Sequence, residues 1–224
     1  MTLARQSKSL LLLASALTRP TIVSAFIPGS SSLSRAANNS ASTATITATT
    51  TSRRIFGSKK KYAEPCVMGD ESLMSPKAHG TSATPVQSEL RWGCDYETAD
   101  RICNFNRHYA EYAGYWTTTS FVTDAKSMKG GEEITFYDSN TGKALFVAPR
   151  GRDMDAFLKE SASHGWPSFR DEEVIWDSVR CLDNGEAVSV DGTHLGHNLP
   201  DGKGNRYCIN LVSVAGKPEG GGKL

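Results

Sequence analysis

Apolar and aromatic positions fall into two rhythms along the second half of the chain. Ile102, Phe105, Tyr109, Tyr112 and Trp116 recur at intervals of 3, 4, 3 and 4, the period of a helical stripe packed into a core, with Gly114 near its end. Met154, Phe157, Leu158 and Ala162 keep the same period, with Asp153 as a capping residue and Gly165 as a terminator. Between these helices, Ile134–Tyr137 and Ala144–Val147 are β-prone runs around Asp138–Gly142, which predicts a hairpin. Turn signals at Asp183-Asn184-Gly185, Asp191-Gly192 and Asp201-Gly202 then recur every eight to ten residues, the spacing of short antiparallel strands. Arg206–Val212 alternates as a strand, with Tyr207, Ile209 and Leu211 on one face and Arg206, Cys208 and Asn210 on the other. The pattern predicts an α+β domain over residues 92–215, mainly antiparallel β, sandwich- or barrel-like, with helices packed on the sheet.

Ahead of Trp92 the pattern breaks. Residues 64–91 are polar, contain Pro65, Pro76 and Pro85, and show no period, so they read as a flexible linker. Residues 216–224 read as a flexible Gly-rich tail.

Charge changes the picture of the N-terminus. Residues 1–63 hold nine Lys/Arg and no Asp or Glu, which leaves 16 Lys/Arg against 24 acidic residues in the rest, a net −8. A mildly acidic body argues against nucleic acid as a partner, since phosphates call for clustered cations. Arg5 and Lys8, the apolar run Leu10–Leu17 and the small residues up to Ala25 have the make-up of a secretory signal peptide. The Ser/Thr/Ala-rich, acid-free stretch over residues 26–63 has that of an organellar transit peptide. In series, with Phe26 at the junction, the two resemble the bipartite plastid presequences of algae with secondary plastids; the mitochondrion and the secretory pathway are the alternatives. No apolar run approaches the roughly 20 residues that span a bilayer, so the mature chain is expected to hold no membrane anchor.

The five cysteines, Cys66, Cys94, Cys103, Cys181 and Cys208, include no C-x-x-C pair, so neither a zinc site nor a disulfide scaffold is expected. Cys208 has a reason to be reactive. On its strand face it is flanked by Arg206 and Asn210 about 6.6–6.8 Å away. A free thiol with a pKa of about 8.5 is only about 3% thiolate at neutral pH, and a nearby cation raises that fraction. His194 and His197 offer imidazoles suited to proton transfer, although an offset of three demands a bend at Gly196 for both to face one site. Trp166, held by Pro167, can wall an apolar pocket or fill the core.

Three segments in order resemble the methionine-R-sulfoxide reductases, the MsrB family: Gly165-Trp166-Pro167-Ser168-Phe169; His194-Leu195-Gly196-His197 with Pro200-Asp201-Gly202; and Arg206-Tyr207-Cys208-Ile209-Asn210. The resemblance covers about Trp92 to Ala215 and is strongest after Gly165. It implies two antiparallel sheets with N-terminal helices. It also implies Cys208 as nucleophile, Trp166 and Phe169 as substrate-binding residues, and His194, His197, Asp201, Arg206 and Asn210 as the polar surround of a sulfoxide. No bound cofactor is implied. The substrate would be methionine-R-sulfoxide in oxidised proteins or as the free amino acid, and the electrons would come from thioredoxin, glutaredoxin or glutathione.

Two departures stand out. Where many members hold zinc with two C-x-x-C pairs, this chain has Asp138 with Thr141 and Val188 with Asp191, so a metal-free form is expected. Where many place a recycling cysteine just before Gly-Trp-Pro-Ser-Phe, it has His164. Cys181 and then Cys66 become the candidate resolving thiols, with direct reduction by an external thiol as a third route; Cys94 and Cys103 read as packing residues. A non-catalytic binding module on the same scaffold and a Cys–His thiol hydrolase stay open as alternatives.

Overall fold

The computed structural model describes residues 62–128 and 130–221. All of the expected presequence but its last two residues, Tyr62 and Ala63, therefore lies outside the described residues. Among the described residues, three α-helices and seven strands follow in the order α1 (Tyr96–Asp100), α2 (Phe121–Ser127), β1 (Ile134–Tyr137), β2 (Ala144–Ala148), α3 (Met154–His164), β3 (Ser168–Phe169), β4 (Val179–Cys181), β5 (Glu186–Ser189), β6 (His194–Asn198) and β7 (Tyr207–Ile209). The fold is α+β, with a two-stranded sheet β1-β2 and a five-stranded sheet in the order β3-β7-β6-β5-β4, every pair antiparallel. Among the described residues no helix is long and apolar enough to cross a membrane.

The strongest local signals hold. The Asp153 carboxylate accepts from the Ala156 N–H at 2.7 Å and so caps α3, while Gly165, left-handed at φ 88°, stops it. The hairpin β1-β2 forms where the two β-prone runs flank Asp138–Gly142, with a bulge between Phe136 and Tyr137. Strand β7 is shorter than its alternation suggests. Tyr207 and Ile209 face the core as expected, but Leu211–Ser213 turns into a 3-10 helix after Asn210.

The first aromatic stripe is a correction. The helical segment that starts at Tyr96 ends at Phe105, after a π turn over Arg101–Phe105, and residues 106–114 form a loop. Ile102 and Trp116 are buried, whereas Phe105, Tyr109 and Tyr112 are exposed. The loop is held by bonds a helix could not make: the Gly114 N–H reaches the Gly165 carbonyl at 2.7 Å, and the Trp166 indole N–H reaches the Glu111 carbonyl at 3.0 Å. Tertiary partners outweigh the local period here.

Residues 64–91 are likewise no flexible linker. Cys66, Met74, Ser82 and Val86 are buried, and Val67 and Gly69 exchange backbone hydrogen bonds with Cys181 at the free edge of β4. This segment covers an edge that would otherwise be open to pairing. The tail is also fastened past Gly216, for Lys217 and Gln87 bond each other in both directions and the Glu219 N–H reaches the Gly142 carbonyl.

Between the layers sits an aromatic core. Phe169 stacks on Phe146 with ring centroids 4.4 Å apart and meets Phe136 edge-on at 4.9 Å; Phe157, Phe121 and Trp92 extend the cluster. Each such side chain is worth about 1.5–3 kcal/mol when fully buried. This core fixes β3 and β7, whose opposite face carries Ser168 and Cys208.

Candidate active site

Register places the candidate site residues. Cys208 in β7 lies directly opposite His197 in β6 and opposite Ser168 in β3. The bend required of Gly196 is present: its φ is +156°, and a Cβ there would lie 2.1 Å from the Cys208 carbonyl oxygen. Only glycine fits so close to the neighbouring strand. With the extra residue that β6 carries at Leu195, opposite the step from Ala187 to Val188 in β5, this brings both imidazoles to one side, ring centroids 5.7 Å apart and planes at 65°.

These side chains surround a cavity of about 260 Å³. Trp166, His194, His197, Cys208 and Asn210 line it from the sheet, and Arg107–Ala110 close it from the loop. The wall is mostly apolar, with a few convergent polar groups, the usual make-up of a small-molecule site. Asn210 is pinned on both sides: its Oδ1 accepts from the Glu111 N–H at 3.2 Å and its Nδ2 donates to the Leu195 carbonyl at 3.1 Å. The Glu111 carboxylate in turn accepts from the N–H groups of Leu211 and Val212, at 2.9 and 3.1 Å, which is why the chain turns there instead of extending.

Electrostatics differ from one group to the next. Burial pushes the Cys208 thiol above its ordinary value, and Arg206 beside it only partly offsets this. The neighbouring guanidinium does lower this thiol, as expected, but burial outweighs it, and half-buried Cys208 rests as the thiol at neutral pH. Burial, together with the nearby His194, holds the His197 imidazole below its ordinary value, so this ring rests neutral. His194 is almost fully buried and turns its Nδ1 to the Glu186 carboxylate at 2.7 Å.

The remaining candidates divide. Arg206 is buried against Cys208, and its Nε lies 3.4 Å from Asp201 Oδ2. Asp201 does not line the cavity; it is exposed and clasped by Arg170 at 2.8 and 3.1 Å. It can act on the site only through Arg206. Phe169 does not reach the cavity either. Its partner across β3-β7 is Tyr207, so it shares the core-facing side and belongs to the aromatic cluster. Cys66 and Cys181 lie against each other and against Tyr207, on the face of β7 away from Cys208, and neither lines the cavity. The sheet itself separates these thiols from Cys208, which corrects their reading as resolving residues. Cys94 and Cys103 pack in the interior, where burial pushes the Cys94 thiol up to about 12.

Three residues of the site escaped the sequence reading: Arg107, Glu111 and Glu186. A signal existed for Glu186, since an acid in the strand paired with the histidine strand is placed to meet a ring. Arg107 and Glu111 sit in the loop, and only tertiary contacts bring them here.

The chain is 35% identical over 92 residues to the peptide methionine sulfoxide reductase MsrB of Saccharophagus degradans, covering 40% of this chain and 57% of that protein. Against the MsrB of Methylibium petroleiphilum it is 34% identical over 82 residues, 29% of this chain and 54% of that protein. Against the MsrB of Methanosarcina barkeri it is 33% identical over 99 residues, covering 39% of this chain and 69% of that protein. The chain belongs to the MsrB family. It spans between about half and two thirds of the length of these curated relatives. No family model and no solved structure matches it.

Within an MsrB frame, the two turns that would carry zinc ligands do meet, but through other chemistry. Buried Asp138 accepts from the Thr193 hydroxyl at 2.9 Å and from the Asn140 N–H at 2.8 Å, and Lys143 pairs with Asp191 at 2.9 Å. Val188 offers no donor atom, Thr141 offers a hydroxyl, and Asp138 is already occupied. This set does not fit a tetrahedral thiolate site. Elsewhere Glu160, His164 and Asp201 bring ligand atoms within 4.8 Å of one another, but Glu160 and Asp201 are both engaged by Arg170.

Proposed function

We propose that the protein reduces methionine-R-sulfoxide, in oxidised polypeptides or as the free amino acid, to methionine at the expense of thiols. The reading rests on one observation above the others: Cys208, His194, His197, Asn210 and Trp166 converge on a single cavity. The family supplies the sulfoxide; the residues supply the chemistry.

A sulfoxide oxygen leaves poorly unless protonated, so an acid must donate while the Cys208 sulfur attacks the sulfoxide sulfur. The imidazoles are placed to donate, directly or through water, and Asn210 to hold the oxygen. The S–O bond breaks as the oxygen passes to Cys208, giving its sulfenic acid and restoring the methionine thioether. A thiol then attacks the sulfenic sulfur and releases water, and a second thiol regenerates Cys208 with formation of a disulfide. Because the resting thiol is protonated, its proton must be lost on attack, and His197, neutral at rest, can accept it. Trp166 would cup the methyl group while the oxygen meets the polar side, and this would separate the R from the S epimer.

Both thiols would come from outside the chain, from thioredoxin, glutaredoxin or glutathione, since Cys208 is the only cysteine lining the cavity. The hydrogen-bonded turns around Asp138 and Thr193 would do the cross-linking work of zinc, making this a zinc-free form with no bound cofactor. The presequence would direct it to the plastid. With dithiothreitol and each epimer of an N-blocked methionine sulfoxide, the R form should be consumed over many cycles, and Cys208→Ser should abolish this. Activity on S alone, or undiminished R reduction in Cys208→Ser, overturns the reading. The isolation of Cys208 from other thiols favours a second reading, a binding module, which a single turnover without recovery under any thiol donor would support.

A further inference from the structure

Behind His194 lies a buried relay that the three sequence motifs do not contain. Glu186 sits in β5 and is almost wholly buried. One carboxylate oxygen, Oε1, lies 2.7 Å from His194 Nδ1. Arg107 grips the same carboxylate with Nε at 3.1 and 3.0 Å and with Nη2 at 2.5 Å, and turns its Nη1 outward to the exposed Glu71 at 2.5 Å. A charge in this position is costly unless paired and hydrogen-bonded, and here it is both.

We infer that Glu186 is a positioning residue of the active site: braced by Arg107, it holds His194 with the proton on Nδ1 and leaves Nε2 for the cavity. The inference rests on the reductase reading for its catalytic consequence but not for its structural content. An ionised carboxylate only accepts hydrogen bonds, so the ring nitrogen beside it must be the one that carries hydrogen. Burial opposes ionisation of Glu186, but the bonds from His194 and Arg107 outweigh it and bring its pKa down to about 2, so the carboxylate is ionised at neutral pH. The other titratable groups facing His194 are His197, whose ring centroid is 5.7 Å away, and Cys208 across the cavity. Neither is an anion at rest, so Glu186 alone sets which nitrogen is protonated. Nε2 then accepts a proton when the ring is neutral and donates one when it is charged, which are the two actions a sulfoxide reduction needs on the cavity side.

Glu186→Gln makes a sharp test, because the amide keeps the shape and loses the symmetry. Arg107 presents only donors and will claim the amide oxygen. The amide NH2 is then turned to His194, which must offer a bare Nδ1 and move its hydrogen to Nε2. Nitrogen-15 NMR of the histidine rings in the full chain, assigned with His194→Gln, should show Nδ1–H in the wild type and Nε2–H in Glu186→Gln. With R-sulfoxide as substrate, kcat should fall at least about tenfold with KM changed less than about twofold. Arg107→Gln, which leaves the carboxylate in place, keeps the wild-type tautomer and guards against a folding defect in the first variant. An unchanged His194 tautomer in Glu186→Gln, or full kcat despite the flipped ring, overturns the inference. Should the wild type reduce no sulfoxide at all, the functional reading falls while the tautomer comparison still decides the placement.

Discussion

The indole nitrogen of Trp166 donates to the backbone carbonyl of Glu111 at 3.0 Å, and this bond ties the most recognisable motif of the chain to a loop without any motif. Trp166 forms one wall of the cavity, and the loop it holds forms another. Trp166→Phe keeps an aromatic wall and removes the donor, leaving the Glu111 carbonyl unpaired. A bond of this kind is worth about 0.5–1.5 kcal/mol. KM for a small sulfoxide substrate should therefore rise about 2- to 10-fold, with a smaller change in kcat. Steady-state kinetics on the two epimers checks this, and a loosened wall should also narrow the preference for R.

Gly196 predicts a structural failure. Alanine there would place Cβ 2.1 Å from the Cys208 carbonyl oxygen, a distance no backbone contact tolerates, at a φ that L residues avoid. The strands β6 and β7 must move apart or the chain must unfold. Gly196→Ala should cost about 2 kcal/mol or more, measured by urea unfolding, and should abolish turnover even where the protein stays folded.

How far the site was legible follows from where each residue gets its position. Cys208, His194, His197, Asn210 and Trp166 lie in strands or at helix ends, where a period of two, a glycine bend or a cap fixes direction locally. Their convergence could be read from spacing and resemblance. Phe169 was misplaced because its motif is short: only the pairing with Tyr207 shows which way it points. The loop over residues 106–114 was misread as helix because its aromatic spacing matches a helical stripe, while the bonds that hold it come from Gly165 and Trp166, some 50 residues away. Residues 64–91 have no period at all, since their burial comes from covering the edge of β4 rather than from an amphipathic face.

Glu111 should give stability an unusual pH dependence. Burial pushes its carboxyl up to about 7 from an ordinary 4.5, against the pull of two backbone N–H donors. The folded state thus holds the proton more tightly than the unfolded chain does. This contribution is complete below about pH 4.5 and declines as pH rises through about 7, a loss of about 3 kcal/mol. Glu111→Gln removes the titration but keeps only one acceptor for Leu211 and Val212. Relative to the wild type the variant should therefore be weakest near pH 4.5 and gain steadily toward pH 8. Denaturant midpoints across that range test the sign, since the other titrating groups cancel in the difference.

Cys208 makes the last prediction, which concerns recycling. Its resting thiol lies above the ordinary range, so alkylation by iodoacetamide in the absence of substrate should be slow at pH 7 and climb past pH 9 without a plateau. Arg206→Gln removes the one group that lowers this thiol and should slow alkylation further at any given pH. After one equivalent of R-sulfoxide with no reductant, mass spectrometry should find the oxidised sulfur still on Cys208. It should find no Cys208–Cys181 or Cys208–Cys66 disulfide, because both partners lie on the Tyr207 side of β7. Cys66→Ser and Cys181→Ser should accordingly keep full turnover with an external thiol. A disulfide from Cys208 to either residue would mean that the sheet opens during the cycle, and the separation of nucleophile and buried thiols would then be a resting arrangement rather than a fixed one.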